Sequence, residues 1–506
     1  MDPNPHAISG DEAAFSSHPL LHDEMATNTE LHWSRRFAHG MLDWMLGVRL
    51  TARELAMLRV MDTITDRPSW ESSILDADLA EALRRELRVG EPLLSARAWA
   101  WCLEELRDKA AEFVRTGRVL VYDAGPRVSK SSVKGAEKLK KLVGDLAAQK
   151  DKSHRLHGEE VQLRNLVDPS LHPLVYGHTK ILPRLAKPMS SISGIDSVMW
   201  LPCDVEFVGD EENGGIRARI TSYINDLHPK AHRALYSVIE EIITASIEPW
   251  NDVLTPAVPP STDVKHAPYS AWTIGPGRTP LAYEHTAKIT GRCFHCRFND
   301  NYDWRERPPE ESKYRHHDHE YRNIRIQHDF KDKGLQVYVN IQSIELTPEN
   351  PRYEGSPWAL AGMYNEHIVA ASMYFFDVVN IADTPRLYLR VPANFFQDSL
   401  DVDEGHIRFL TLYLVDPNYT LVSTSRVPPQ SFDWWVQDVF PATFLASKGL
   451  PEELRCAVAE EACGSLFTEE QSAEFRERLL RERKRVMAEL GRILYHFRFD
   501  FELEPV

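Results

Sequence analysis

An α+β protein is predicted by three observations. The first 160 residues carry helical periodicity with capping residues at the expected places, and strand-like runs lie on both sides of a polar knot at 358–367. Between these regions one convincing amphipathic helix, 230–250, is set among strands without a repeating unit. The chain is therefore read as a β core with an N-terminal helical layer.

In chain order, residues 1–30 hold Pro, Ser, Asn, Asp and scattered His without sustained periodicity and read as a mobile tail, whose boundary is drawn at 45. Thr51 precedes ARELAMLRVMDTIT with Glu54 three residues on, a capping box that starts a helix. Segments 76–90 and 95–117 open on capping residues and end at Gly90 and Gly117. VLVYD, 119–123, is a short strand. The next segment holds seven lysines between 130 and 152, and its plain reading is a solvated helix face. These elements make a helical region over 46–160.

The β-rich core is placed at 161–440. WLPCDVEFVG and IRARITSYINDLHP alternate apolar and polar residues between Gly and Pro. The 230–250 helix is expected to close at Pro249. Residues 251–333 lack long periodic runs and read as an excursion or lid, with Cys293, Cys296 and His316, His317 and His319 as loop residues rather than a zinc site. GLQVYVNIQSIEL, RLYLRV and IRFLTLYLVD are strands. Within 441–506, Thr468 to Arg492 is a capped, charged helix expected to break at Gly491.

The chain's 506 residues leave core size unconstrained, and 43% hydrophobic with 26% charged residues is ordinary for a soluble globular protein. A formal charge of −16 disfavours broad attraction to nucleic acid or anionic lipid. Six cysteines without a charged-then-apolar leader point to a reducing, cytoplasmic setting. No run approaches the ~20 apolar residues of a membrane span, so no membrane partner is expected.

Asn365, Glu366 and His367 stand between apolar runs, where polar side chains are either fully hydrogen-bonded or do chemistry. They are the candidate catalytic residues, a Glu–His pair supplying a general base and its partner. The competing reading is that Glu366 and His367 brace the strand.

LTARELAMLRVMDTITDRPSW, WCLEELRDKA, LVDPSLHPLVYG, WLPCDVEF, ITSYINDLHP, GLQVYVNI, IELTPENPRYEGSPW, GMYNEHIVA, LVDP and VPPQ, in order over roughly 48–490, resemble the fungal family catalogued as domain of unknown function 4246. Members of that family carry Trp-His-x-Glu-Gly where this chain has Trp358-Ala359-Leu360-Ala361-Gly362. They carry Gln-His where it has Gln397-Asp398, and Gly-His-Arg-Lys where it has Gly405-His406-Ile407-Arg408. The resemblance implies a jelly-roll-like (double-stranded β-helix) core of the Fe(II)/2-oxoglutarate oxygenase kind, whose three facial ligands leave open positions for oxygen and keto acid. Here two of those positions are alanines, so no metal ligand is assigned and neither Fe(II) nor 2-oxoglutarate is expected.

Three readings follow. The first is an enzyme of fungal specialised metabolism with a reshaped, metal-free pocket, binding a small molecule through Trp358, Asp398, His406 and Arg408. The second is an aminoacyl-tRNA-dependent synthase of arginine-containing cyclic dipeptides, with Lys138, Lys140 and Lys141 meeting the tRNA and an acidic pocket pairing with an arginyl group. The third is a non-catalytic binding protein.

Overall fold

Local signals set the N-terminal helices: α1 (Ala52–Thr65), α2 (Trp70–Leu75), α3 (Ala77–Leu87) and α4 (Ala96–Thr116). The Asp76 carboxylate accepts the backbone N–H groups of Asp78 and Leu79, the Ser95 hydroxyl accepts that of Ala98, and Gly117 ends α4 at φ 69°. Leu58, Met61, Ile64, Trp70, Cys102 and Leu106 form their shared core. The hairpin β1 (Arg118–Tyr122) and β2 (Val128–Ser131) closes it with Val119 and Val121, and the Lys130 ammonium sits 2.9 and 2.7 Å from the Asp62 and Asp66 carboxylates. The computed structural model describes residues 36–37, 52–91, 94–122, 128–133, 135–154, 162–182, 198–210, 215–255, 324–348, 350–353, 359–360, 362–380, 386–391, 395–401, 405–432, 434, 466–467, 469–494 and 499–503.

Further along the chain come α5 (Ala136–His154), β3 (Leu163–Val167), β4 (Leu174–Val175), β5 (Val198–Met199), β6 (Cys203–Val208), β7 (Arg217–Ile220) and α6 (Arg233–Leu254). After α7 (Ile326–Asp329) follow β8 (Leu335–Leu346), β9 (Arg352–Tyr353), β10 (Ala359–Leu360) and β11 (Ile368–Val379). The last elements are β12 (Arg386–Val391), β13 (Phe395–Asp401), β14 (Gly405–Val415), α8 (Glu469–Leu494) and β15 (Phe499–Leu503). Six strands form the larger sheet in the order β11-β14-β8-β6-β7, with β3 also on β8; five form a second in the order β10-β13-β12-β15, with β9 on β13. All these pairings are antiparallel, and the described strands close no barrel. The α+β expectation holds at this level. No helix among the described residues is long and apolar enough to cross a membrane.

Strand alternation gives the larger sheet two distinct faces. Val337, Val339 and Ile341 of β8 pair with Leu414, Leu412 and Leu410 of β14, and all six are buried with α5 and α6 side chains in the largest core. This is the helix-covered face. Tyr338, Asn340, Gln342 and Ile344 alternate onto the opposite face, paired with Tyr413, Thr411, Phe409 and Ile407.

Three sequence expectations change. Pro249 lies inside α6 rather than ending it: Trp250 and Leu254 bury in the core, and the Thr255 N–H and hydroxyl close the last turn on the Asn251 carbonyl at 3.0 and 2.7 Å. Burial outweighs the one hydrogen bond that proline omits. Gly491 is likewise interior to α8. The lysine run is only partly a solvated face, because Lys140 and Lys150 of α5 pair with Asp377 and Asp226 at 2.7 and 2.6 Å.

Gly334, the residue before β8, has φ 72°, and a Cβ there would collide with the Val205 carbonyl oxygen. Gly334→Ala is therefore expected to destabilise the sheet by at least about 2 kcal/mol, the left-handed penalty plus the backbone clash. An unchanged denaturation midpoint would refute this.

Candidate functional site

The polar knot folds as a buried brace. Residues 364–366 form a 3₁₀ turn, and Glu366, 0% exposed, turns its carboxylate back into the protein. Oε1 accepts the Trp200 backbone N–H at 3.0 Å, Oε2 accepts that of Met363 at 2.7 Å, and Arg483 Nη2 of α8 lies 2.6 Å from both oxygens. The Arg483 guanidinium also lies over the Trp200 ring, 3.8 Å from its centroid. Each carboxylate oxygen thus accepts two donors, and the geometry is that of a structural pair. His367 has φ 47°, its ring stacks on Tyr419 at 3.9 Å, and its carbonyl accepts the Asp416 N–H at 2.8 Å. Asn365 is half-buried beside them. The three residues expected to be catalytic are adjacent; the Glu366 carboxylate and the His367 carbonyl make bracing contacts, and the buried Asn365 Oδ1 has no hydrogen-bond partner among the described residues. The Glu366 carboxylate does not face solvent.

Arg483 is one of several anchors on one stripe of α8. Ser472 Oγ meets His172 Nδ1 at 3.1 Å, Arg476 Nε donates to Asp168 at 2.7 Å, and Leu479 buries with Val175, Val198, Trp200 and Tyr338. The spacing 472, 476, 479, 483 keeps these side chains on one helical face. The Asp168 carboxyl is held below its usual range: burial opposes ionisation, but Arg476 and Ser170 together outweigh it.

The sheet face opposite α5 and α6 has three zones. At one end the Tyr338 and Tyr413 rings each lie 5.5 Å from the Trp200 ring, next to the Glu366–Arg483 pair. Burial, and after it the Glu366 charge, push the Tyr338 phenol well up, so it stays neutral. At the other end Ile344, Leu346, Ile407 and Phe409 pack with Tyr353 of β9, which brings an edge of the second sheet over this face. Between them lie Asn340 and Thr411, opposite each other across β8 and β14.

On the second sheet, Ala359 pairs with Phe396, which places position 359 two residues out of register with position 398 on the neighbouring strand. The ladder thus joins two segments singled out in the sequence. The Asp398 backbone lies in β13; Trp358, Ala361 and the Cys293, Cys296 and His316–His319 group lie outside the described residues.

His406 and Arg408 go elsewhere. Alternation along β14 points them to the helix-covered face, away from Ile407, so they do not line a common surface with it. There they surround Asp377 of β11, whose side chain is 1% exposed: His406 Nε2 and Arg408 Nη1 lie 2.8 and 3.2 Å from Oδ2, and the Lys140 ammonium 2.7 Å from Oδ1. Arg408 further meets Ser343 at 3.4 Å and Glu345 at 3.8 Å. Burial raises the cost of the Asp377 charge, yet Lys140 and His406 outweigh it and hold the carboxyl below its usual value. The cluster straps α5 to the sheet. Lys140 is thereby committed, whereas Lys138 and Lys141 are exposed, Lys138 only 3.5 Å from an exposed Glu241.

Sequence reasoning missed Asp377, Arg483, Trp200, Asn340 and Thr411. The carboxylate within the apolar run MYFFDVVN was the available signal for Asp377; the others depend on partners remote in sequence. Both described cysteines are buried: burial, and next the Asp204 charge, push the Cys203 thiol up to about 12, and Cys102 is raised further, again by burial, which favours the thiol over the reactive thiolate. Among the described residues, no three His, Cys, Asp or Glu side chains group as metal ligands.

Two family models match the chain: Protein of unknown function (DUF4246), over residues 96–403 and 396–438, and Domain of unknown function DUF4246, N-terminal, over residues 5–86. No curated protein and no solved structure matches it.

Proposed function

The chain belongs to the DUF4246 family, and on that premise we propose that it is a metal-independent enzyme of small-molecule, specialised metabolism, working in a pocket between its two main sheets. The two antiparallel sheets, with Tyr353 of one packed on the other, support a jelly-roll-like arrangement of this kind. One observation carries the reading: the ladder pairs the strand of Ala359 with that of Asp398, while Ile407 is buried in an apolar cluster on the facing sheet. In the family pattern these positions hold imidazole and basic side chains. A methyl group has no donor atom, and a buried isoleucine offers no cation to a keto acid. In this reading position 398 supplies a carboxylate for a polar or cationic substrate, and Glu366 holds the pocket wall rather than moving protons.

The test is metal analysis of the purified full-length chain together with untargeted metabolite profiling of a host expressing it. We expect iron and zinc far below one equivalent and at least one new metabolite. A full equivalent of bound iron would overturn the metal-free reading, and an unchanged metabolite profile would favour a non-catalytic binding protein.

A second reading, aminoacyl-tRNA-dependent formation of an arginine-containing cyclic dipeptide, draws on the exposed Lys138 and Lys141 of α5. Incubation with arginyl-tRNA and a second aminoacyl-tRNA tests it. Product that falls on combining Lys138→Ala with Lys141→Ala would support it, and no product would remove it.

A further inference from the structure

Asn340 and Thr411 are opposite residues of β8 and β14, 8% and 1% exposed, on the sheet face away from α5 and α6. Asn340 Oδ1 and Thr411 Oγ1 are buried, and neither has a hydrogen-bond partner among the described residues. Their neighbours on that face are provided for: the Tyr338 hydroxyl donates to the Glu366 carbonyl at 3.4 Å, and Gln342 Nε2 donates to Asn165 Oδ1 at 2.8 Å. On the opposite face of the same strands, Val339, Ile341, Leu410 and Leu412 are all apolar. The sheet thus tolerates hydrophobic residues throughout this region, yet at one row it keeps two adjacent polar groups that cost stability when left unpaired. A role in binding offsets such a cost.

We infer that the Asn340–Thr411 row is a recognition site for an amide group of a small-molecule substrate. A carboxamide and a hydroxyl each donate and accept, and cross-strand side chains stand ~5 Å apart, so together they match a planar group that presents one N–H and one C=O. A carboxylate or phosphate fits less well, because no cation lies on this row among the described residues. The flanks suit an amide carried on a ring or aliphatic body. Tyr338 and Tyr413 pack with Trp200 one register step away, and Phe375 and Phe409 lie on the other side with ring centroids 5.4 Å apart. Met373, opposite Thr411 on β11, extends the row with an apolar side chain. This inference rests on the pocket reading above and names the chemistry that the pocket selects.

The test titrates the full-length protein with N-acetylphenylalaninamide and with propylbenzene, which has a ring but no amide, by calorimetry and ligand-observed NMR. The amide should bind saturably and more tightly than propylbenzene. Thr411→Val and Asn340→Leu should each weaken it roughly tenfold or more, the loss of one buried hydrogen bond. In the ligand-free protein Thr411→Val should leave the unfolding midpoint unchanged or raise it, because an unpaired hydroxyl is removed at constant shape. No preference for the amide, or binding insensitive to both substitutions, would overturn the inference. So would a lower midpoint for ligand-free Thr411→Val, which would show that the hydroxyl already has a partner such as an ordered water. A new metabolite without amide binding overturns this inference alone; amide binding without a new metabolite overturns the enzyme reading alone.

Discussion

Arg483→Ala is expected to lower the stability of the sheet core by about 3–5 kcal/mol, the usual consequence of stripping one partner from a buried ion pair. Glu366 is 0% exposed, so its charge would keep only the Trp200 and Met363 backbone donors. The guanidinium that touches both carboxylate oxygens also covers the Trp200 ring, so packing is lost along with charge. Arg483→Lys should fall between the parent and alanine, since an ammonium restores charge without a planar face. Urea unfolding followed by tryptophan fluorescence reads the effect. A loss below about 1 kcal/mol would mean that the pair is screened or replaced by water, contrary to its burial.

That pair also marks where the sequence was legible and where it was not. Helix ends were readable because their signals are local: Asp76 and Ser95 bond to backbone two or three residues on, and Gly117 supplies the left-handed turn. CDVEFV alternates in sequence and in burial alike, and it is β6. By contrast, Pro249 as a helix end was a local inference defeated by tertiary burial of Trp250 and Leu254. Glu366 was visible as a polar residue among apolar ones, but its meaning depends on Arg483, 117 residues later. No period or motif connects the two. The same holds for His406 and Arg408, which look like neighbours of Ile407 on paper. A period of two turns them to the other face, where they meet a carboxylate on a different strand and a lysine on a helix.

Asp377→Ala should cost about 2–4 kcal/mol near neutral pH, because it removes the carboxylate shared by Lys140, His406 and Arg408 at the junction of α5 and the sheet. The effect carries a pH signature with a defined sign. The folded Asp377 carboxyl is held below its ordinary value, so its contribution is fully present above the unfolded value of ~3.9 and is lost as pH falls through the folded one. Asp377→Asn, which does not titrate, should therefore narrow the gap in stability between pH 6 and pH 3. Glu345, 3.5 Å from Arg164 and 3.8 Å from Arg408, titrates in both proteins, so Glu345→Gln in each background separates its share from that of Asp377. Amide exchange should localise the change: in the parent, α5 should lose protection below about pH 4 before the β8–β14 ladder does. If the two proteins show parallel pH–stability curves, Asp377 does not strap α5 to the sheet through its charge. The apolar packing of Leu139 and Val143 would then hold α5, with Arg408 tying β14 to β8 through Ser343 and Glu345.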